Sequence, residues 1–477
     1  MKYDAVIIGA GLGGLTAGAK LAKEGRKVLL IEQHSQPGGC ATTFRRGDFT
    51  LEVGLHEMDG PSSRDMKSRI FNDLGVFDNV EFVRIPEFYR FLNGRISITV
   101  PHDAEAAARI LSEAFPDEAS GIKAYFDLLL APRKKPSGSE SPDISLGEFL
   151  DSIIKNEDLK LILLGNLGYF HDDPYSLSLA YYSVAQGSYY SGGASFIRGG
   201  SQRLSDHLAE FIRNHGGEIL FNHLVTGINI ADGKATGVTF KRKHTRESQQ
   251  VFADVVIANN AVPNVAEMLP LEAGNELRAE YSGLRPGASL LTLYLGFRRP
   301  LSDLGHYYYS LFVYDNSVKR QADILKNNRD DFSVRSFTFV DYGQIDSGLA
   351  PGVKSVGAVC CLDYLADWES LGKKEYDDKK EQVARTFIER LESIIPGFKE
   401  SVAYYEVGTP VTVKRYTLNP GGAVYGFAQT PAKKTVDTLE SVNNLHFASA
   451  WGKTGGGFSG AIYGGYLCAI NILRKRS

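Results

Sequence analysis

The chain has 477 residues, 43% of them hydrophobic and 23% charged, with a formal net charge of -3 and a mean hydropathy of -0.18. That length exceeds one ordinary core, so two or more domains are expected, and the near-balance of charge offers no global attraction to nucleic acid. Four cysteines, at 40, 360, 361 and 468, have neither metal-ligand spacing nor a disulfide framework, a pattern that favours a reducing compartment.

The strand pattern begins by residue 4 or 5, which leaves no room for a cleavable signal, and no apolar run reaches the roughly twenty residues of a membrane span. Asp4 to Gly14, DAVIIGAGLGG, joins an apolar run suited to a buried parallel strand to Gly9, Gly11 and Gly14 in GxGxxG spacing. A helix pattern ending at Gly25 and a second strand, Val28 to Ile31, follow and close on Glu32. This is a βαβ unit of the dinucleotide-binding form. Gly9 allows the tight turn, Gly11 the approach of backbone to a pyrophosphate, and Gly14 the close packing of helix on strand. The phosphates rest on the helix N-terminus, and Glu32 accepts from an adenosine ribose.

Past Glu32, Pro37, Gly38 and Gly39 form a compact turn, after which Thr42, Thr43, Arg45 and Arg46 offer donors to phosphate or flavin oxygens. For the two arginines a solvated turn is an equal reading. Phe49 to Val53 alternates as a strand, and Gly54, Leu55 and His56 then bring backbone and a ring toward a cofactor. His56 is read first as a structural or cofactor-contacting ring and second as a catalytic one.

Helices are expected in AEAAARILSEAF and GIKAYFDLLLA, and the segment 131–143, rich in proline, serine and charge, reads as either a passive loop or a lid. The apolar helices of 144–170 suit a core, a greasy pocket or the surface of a bilayer. The next stretch is aromatic: Tyr181, Tyr182, Tyr189, Tyr190 and Phe196 suit either a flat apolar ligand or packing between domains. A helix follows Gly199 and Gly200 and stops at Gly216 and Gly217. A hairpin then turns at Asp232 and Gly233, and Val255 to Ala258 returns to the first sheet. Val225 is placed to meet an adenine through its backbone. Asn259, Asn260 and Ala261 lie past the carboxyl end of the returning strand, where open sheets bind ligands.

A second excursion, 271–440, holds strand-like LLTLYLGF, SVRSFTFVDY and VGAVCCLDY, then a charged helix with Val383, Phe387 and Leu391 inward. Lys414, Arg415 and Tyr416 precede a glycine-rich turn and suit either a structural part or entry into the site from the second domain. The chain closes with a strand at Leu445 to Ala448, glycines at 455 to 457, and a helix from Ser459. Strand, glycine turn and helix N-terminus make a second cradle. Two cradles at opposite ends of one chain fit FAD, with the pyrophosphate in the first and the ribityl and ring parts at the second.

Taken together, these stretches resemble the phytoene desaturase, carotenoid isomerase and retinol saturase group of FAD-dependent oxidoreductases over nearly the whole chain. The strongest points are VIIGAGLGGLTAGAKLAKEGRKVLLIEQHSQPGG, FIRGGSQRLSDHLAEFIRNHGGEI, ADVVIANNAVP and GKTGGGFSGAIYGG. The resemblance implies an α/β fold: a Rossmann-type, glutathione-reductase-like FAD-binding domain with an inserted α+β substrate domain. The expected divisions are 1–100, 196–270 and 441–477 for the FAD-binding domain, 101–195 for a helical substrate or lid region, and 271–440 for the substrate domain. Gly9, Gly11, Gly14, Glu32, Gly38 and Gly39 would hold the adenosine and pyrophosphate side, Val225 would contact adenine, and Gly455, Gly456, Gly457 and Ser459 would lie near the flavin and ribityl chain, with Gln33, Thr42, Thr43 and Asn260 as further cofactor-binding candidates.

Two departures bear on subfamily. Gln33 stands where a basic residue commonly follows the ribose-binding acid, and Trp451 and Gly452 occupy a region where many relatives carry Gly-Asp. The implied activity is desaturation, saturation or isomerisation of a double bond in an apolar isoprenoid, with His56, Arg415 and Tyr416 shaping the catalytic site. Oxidation of an amine or other small molecule, and flavin or lipid carriage without turnover, are the alternatives. A cytoplasmic location, with peripheral attachment to a membrane through 144–170 left open, completes the expectation; no metal and no nucleic-acid partner are expected.

Overall fold

The computed structural model describes residues 2–62, 65–131, 143–431, 433, 435, 436 and 439–474. Most of the loop or lid expected at 131–143 lies outside the described residues. The strand Lys2–Ile8 is apolar at successive positions because it is flanked on both sides and covered on both faces. Val28–Ile31 pairs parallel on one side and the end of Ser248–Ala258 on the other. Glu218–Leu220 extends the sheet past Val28–Ile31, and Leu445–Phe447 runs parallel to Val256–Ala258. The two glycine turns, distant in sequence, therefore open at the carboxyl edge of one sheet.

The first half of Ser248–Ala258 instead carries the antiparallel hairpin of His223–Ala231 and Lys234–Arg242. Its turn residues Asp232 and Gly233 both have positive φ, 50° and 68°, the twist that a two-residue hairpin demands. The helices Leu12–Lys23 and Gly457–Arg474 lie against one another with small residues between them. A Cβ on Gly465 would stand 2.1 Å from the carbonyl oxygen of Gly13, so glycine sets their separation.

The second sheet runs in the order Val402–Gly408, Ser289–Phe297, Ser355–Asp363, Phe337–Asp341, Ser310–Val313, Tyr89–Leu92, Ser97–Val100. Its last two strands correct the expected boundary at 100: Tyr89–Leu92 pairs parallel with Ser310–Val313, so the chain has entered the second sheet before 100. The boundary at 196 shifts too, because Ala194–Ile197 is one strand, paired with Met58–Asp59 and Phe82–Arg84 in a small three-stranded sheet. The helix Lys373–Ile394 buries Val383, Phe387 and Leu391 under the second sheet and turns its charges outward.

The apolar stretch considered for membrane attachment is mostly core. Residues 159–167 are all buried, and the helix Leu146–Ile153 buries Leu146 and Leu150. That burial leaves little apolar surface there for a bilayer. Among the described residues, no helix is long and apolar enough to cross a membrane.

Candidate functional site

A single cavity of about 960 Å³ runs from the first glycine turn to the second sheet. At its first end, the helix Leu12–Lys23 begins at Gly11 with no side-chain cap and no acidic residue in its first turn. Its leading amides are thus available to an anion, and the helix dipole favours one there. Gly9 has φ +94°, and Asn259 Nδ2 donates to its carbonyl at 3.1 Å, which ties the turn to the returning strand. Glu32, 6% exposed, accepts from the amide of Ala10 at 2.6 Å and from that of His34 at 2.8 Å. Its carboxylate is fixed at the strand end, across from the glycines.

The second cradle is held from behind. Lys67 has a fully buried side chain, yet its ammonium lies 2.9 Å from Asp59 Oδ2 and donates at 2.7 Å to Ser459 Oγ. It also donates to the carbonyl of Asp59. Ser459 in turn donates to Asp59 Oδ1 at 2.5 Å. A buried charge requires such partners. The knot fastens the first turn of the C-terminal helix to the segment that follows His56.

The turn 54–56 is equally constrained. Glu52 accepts from the amides of Gly54 and Leu55 and from both the amide and hydroxyl of Ser201. Tyr342 donates to the carbonyl of Leu55 and Tyr309 to that of His56. The His56 ring meets Tyr169 edge-on, with centroids 5.9 Å apart. Burial lowers its imidazole to about 4, so it is neutral near pH 7. Beyond it the walls are apolar and aromatic, with Leu167, Tyr189, Tyr294, Phe312 and Leu362 among them.

Of the residues expected at the site, Gly9, Gly11, Glu32, Gln33, Gly38, Gly39, Thr42, Thr43, His56, Val225 and Asn260 all line this cavity. So do Arg415, Tyr416, Gly456, Gly457 and Ser459. Gly14 and Gly455 stand behind the wall: a Cβ on Gly14 would lie 2.3 Å from the carbonyl oxygen of Gly9, and one on Gly455 would lie 3.0 Å from the ring of Tyr181. Thr42 bonds Gln36 and Gln202, and Asn260 approaches Met268.

Arg415 and Tyr416, expected to shape the catalytic site with His56, occupy a different place. The backbone carbonyl of Tyr416 accepts from Gln33 and contacts His34 Nε2 at 2.5 Å, and the Arg415 guanidinium lies over the Tyr416 ring, itself 52% exposed. They sit at the Glu32 end because the helix Pro410–Thr417 brings its last turn against Gln33 and His34. Arg46, a candidate phosphate donor, is engaged in a two-point ion pair with Glu406. The aromatic segment divides its labour. Tyr181 and Tyr189 line the cavity, whereas Tyr182 bonds Tyr125, and Tyr190 and Phe196 pack in the core.

Sequence reasoning missed Glu57, Asp59, Lys67 and Glu52. Glu57 and Asp59 carried one local signal, two acids one and three positions past the singled-out histidine. Lys67 carried none, since Ser459 is 392 residues away.

The glycine turns, the fixed acid and a cavity within the usual size range for cofactor and ligand sites fit a bound dinucleotide. Among the described residues no group of His, Cys, Asp and Glu could hold a metal ion, and Cys40, Cys360, Cys361 and Cys468 form no disulfide. The family model for flavin-containing amine oxidoreductases matches residues 12–473, and the chain belongs to that family. It is 27% identical to prolycopene isomerase 2 of an Oncidium hybrid cultivar, over 99% of this chain and 84% of that protein. It is 25% identical to the all-trans-retinol 13,14-reductase of Danio rerio, over 99% of this chain and 86% of that one. A crystal structure of an oxidoreductase from Methanosarcina mazei superposes with a TM-score of 0.70 at 19% identity, covering 99% of this chain and all of that one.

Proposed function

We propose that this member of the flavin-containing amine oxidoreductase family binds FAD in the Rossmann-type manner and acts on a double bond of an apolar polyene, by saturation, desaturation or isomerisation. One observation carries the proposal: the cavity that begins at the glycine turn and Glu32 continues without a break into a chamber walled by aromatic and aliphatic side chains. A cofactor reaching from one end meets an apolar substrate entering the other. The two relatives named above act on prolycopene and on retinol, and an apolar chamber suits substrates of that kind.

The chain's own residues then have separable tasks. The amides of Gly11 to Gly13 at the helix N-terminus bind the pyrophosphate, and Glu32 takes the adenosine ribose. Gln33 and the Arg415–Tyr416 pair close the nucleotide end. Gly456 and Gly457 leave room for the flavin side, and the Lys67–Asp59–Ser459 knot keeps that cradle in register. FAD, when bound, supplies two-electron redox chemistry. Tyr169, Tyr189 and Phe312 exclude water and hold the substrate flat, while His56, neutral, adds a polar edge without a net charge.

Anaerobic mixing of FAD-loaded protein with all-trans and cis polyenes tests this. Bleaching of the oxidised flavin assigns desaturation, reoxidation of prereduced flavin assigns saturation, and a changed product geometry without net flavin change assigns isomerisation. Loss of all three with every polyene, alongside flavin reduction by a primary amine, would replace the proposal with amine oxidation.

A further inference from the structure

Four residues that carry carboxyl groups line the cavity, and three of those groups are committed. Glu32 accepts from two backbone amides, Asp59 is paired with Lys67, and Glu406 with Arg46. Glu57 is the fourth. It is 7% exposed, lies between His56 and Met58, and neither of its carboxyl oxygens has a hydrogen-bond partner among the described residues. The hydroxyl of Tyr169, also on the cavity wall, has none either. An unpartnered polar group in a folded interior is costly unless function uses it.

The groups that face Glu57 keep it an acid. The carboxyls of Glu87 and Asp59 oppose its ionisation, while Tyr169, Tyr189, Tyr309 and Tyr89 surround it with rings and hydroxyls rather than cations. The charge of Lys67 is taken up by Asp59 and Ser459. Burial is the largest influence, and with the two carboxyls it holds Glu57 well above the ordinary range. Its neighbours on the wall are poor proton donors, since His56 is neutral and burial pushes the Tyr169 phenol far up.

We propose that Glu57 is the catalytic acid–base of the cavity, giving the proton that saturation of a C=C bond requires and receiving it in the reverse direction. The assignment rests on the double-bond reading above. In saturation one π bond is replaced by two C–H bonds. A reduced flavin, bound at the two glycine cradles, would supply one hydrogen with its electron pair as hydride and would be oxidised in doing so. The other arrives as a proton on the adjacent terminus of the conjugated system as the O–H bond of Glu57 breaks. The carboxylate left behind regains a proton from water before the next turnover.

Glu57→Gln and Glu57→Asp, both FAD-loaded, test it with three readouts. Infrared difference spectra of wild type against E57Q near pH 7 are expected to contain the deuterium-sensitive carbonyl stretch of a protonated carboxyl. Polyene affinity, read from the substrate's own absorption, is expected to change less than about threefold in E57Q, because the amide fills the same space. Single-turnover reoxidation of prereduced flavin by the polyene is expected to slow by about 100-fold or more in E57Q and to recover in part in E57D. Wild-type rates in E57Q, or a carboxylate signature at position 57 in wild type, would overturn the assignment while leaving the double-bond reading intact. Failure of wild type to bind or turn over any polyene would overturn both.

Discussion

The ammonium of Lys67, sealed from solvent, donates to the hydroxyl of Ser459 at 2.7 Å across a sequence separation of 392 residues. Asp59 closes the triangle by accepting from both. Removing one member of such a buried set leaves the other charge uncompensated, which typically costs about 3–5 kcal/mol. K67M is therefore expected to lose about that much in urea denaturation and to release FAD more readily. The double variant D59N/K67M, with no charge left to strand, is expected to regain most of the loss. Equal stability of the single and double variants would show that the pair is not energetically coupled.

At the other cradle, Glu32 holds the amides of Ala10 and His34 at 2.6 and 2.8 Å. E32A removes both acceptors and the proposed ribose contact together. FAD affinity of the apoprotein, followed by quenching of flavin fluorescence, is expected to fall at least about tenfold, or roughly 1.4 kcal/mol. Unchanged affinity would move the ribose site elsewhere.

Two glycines should resist a side chain for different physical reasons. A Cβ at position 13 would stand 2.0 Å from the carbonyl oxygen of Ala448, which is backbone and cannot swing aside. At Gly457 a Cβ would meet nothing within 4 Å, and only its φ of +74° resists a side chain. G13A is expected to cost about 1–3 kcal/mol and to disturb FAD retention. G457A is expected to cost about 1–2 kcal/mol through backbone strain alone. Thermal melts of both variants, with and without FAD, check the ordering in retention.

Stability should depend on pH through two sets of buried groups of opposite sign. The folded pKa of Glu57 is raised, so the native state holds a proton that the unfolded chain releases above about 4.3. Its contribution therefore declines as pH rises from there toward the folded value, and E57L is expected to gain on wild type as pH increases. His102 and His306, buried, have folded values lowered to about 3 and about 4. The native state binds fewer protons than the unfolded chain below about 6.5, so stability falls toward acid by up to about 1.4 kcal/mol per pH unit for each group. H102F should flatten that acid limb. A limb of the same slope in H102F would remove His102 as its source.

What the sequence discloses is what is local. The turn at Gly9 to Gly14, the hairpin at Asp232 and Gly233, and the apolar run of Val255 to Ala258 are written in neighbouring residues, because turn chemistry and strand burial act over short spans. The entry of Tyr89–Leu92 into the second sheet is not, since its partner Ser310–Val313 lies in a distant segment and either sheet would accept an alternating strand. The buried run 159–167 is ambiguous for a related reason: composition is the same for a core helix and a membrane-facing one. Arg415 and Tyr416 have the chemistry of site residues, but the direction of Pro410–Thr417 brings them to Gln33 and His34. Glu57 is the converse, an acid whose importance comes from its lack of partners, which no sequence pattern records.

Titration of a long all-trans polyene into FAD-loaded protein, with the flavin absorption band and the polyene band followed together, tests most directly whether cofactor and apolar substrate share one cavity. A shared cavity requires saturation at one polyene per flavin, with the flavin band shifted as the polyene fills and with weaker binding when Tyr189 on the chamber wall is replaced by a charged residue. Polyene that leaves the flavin band unmoved, or that binds equally well to Y189E, would contradict it.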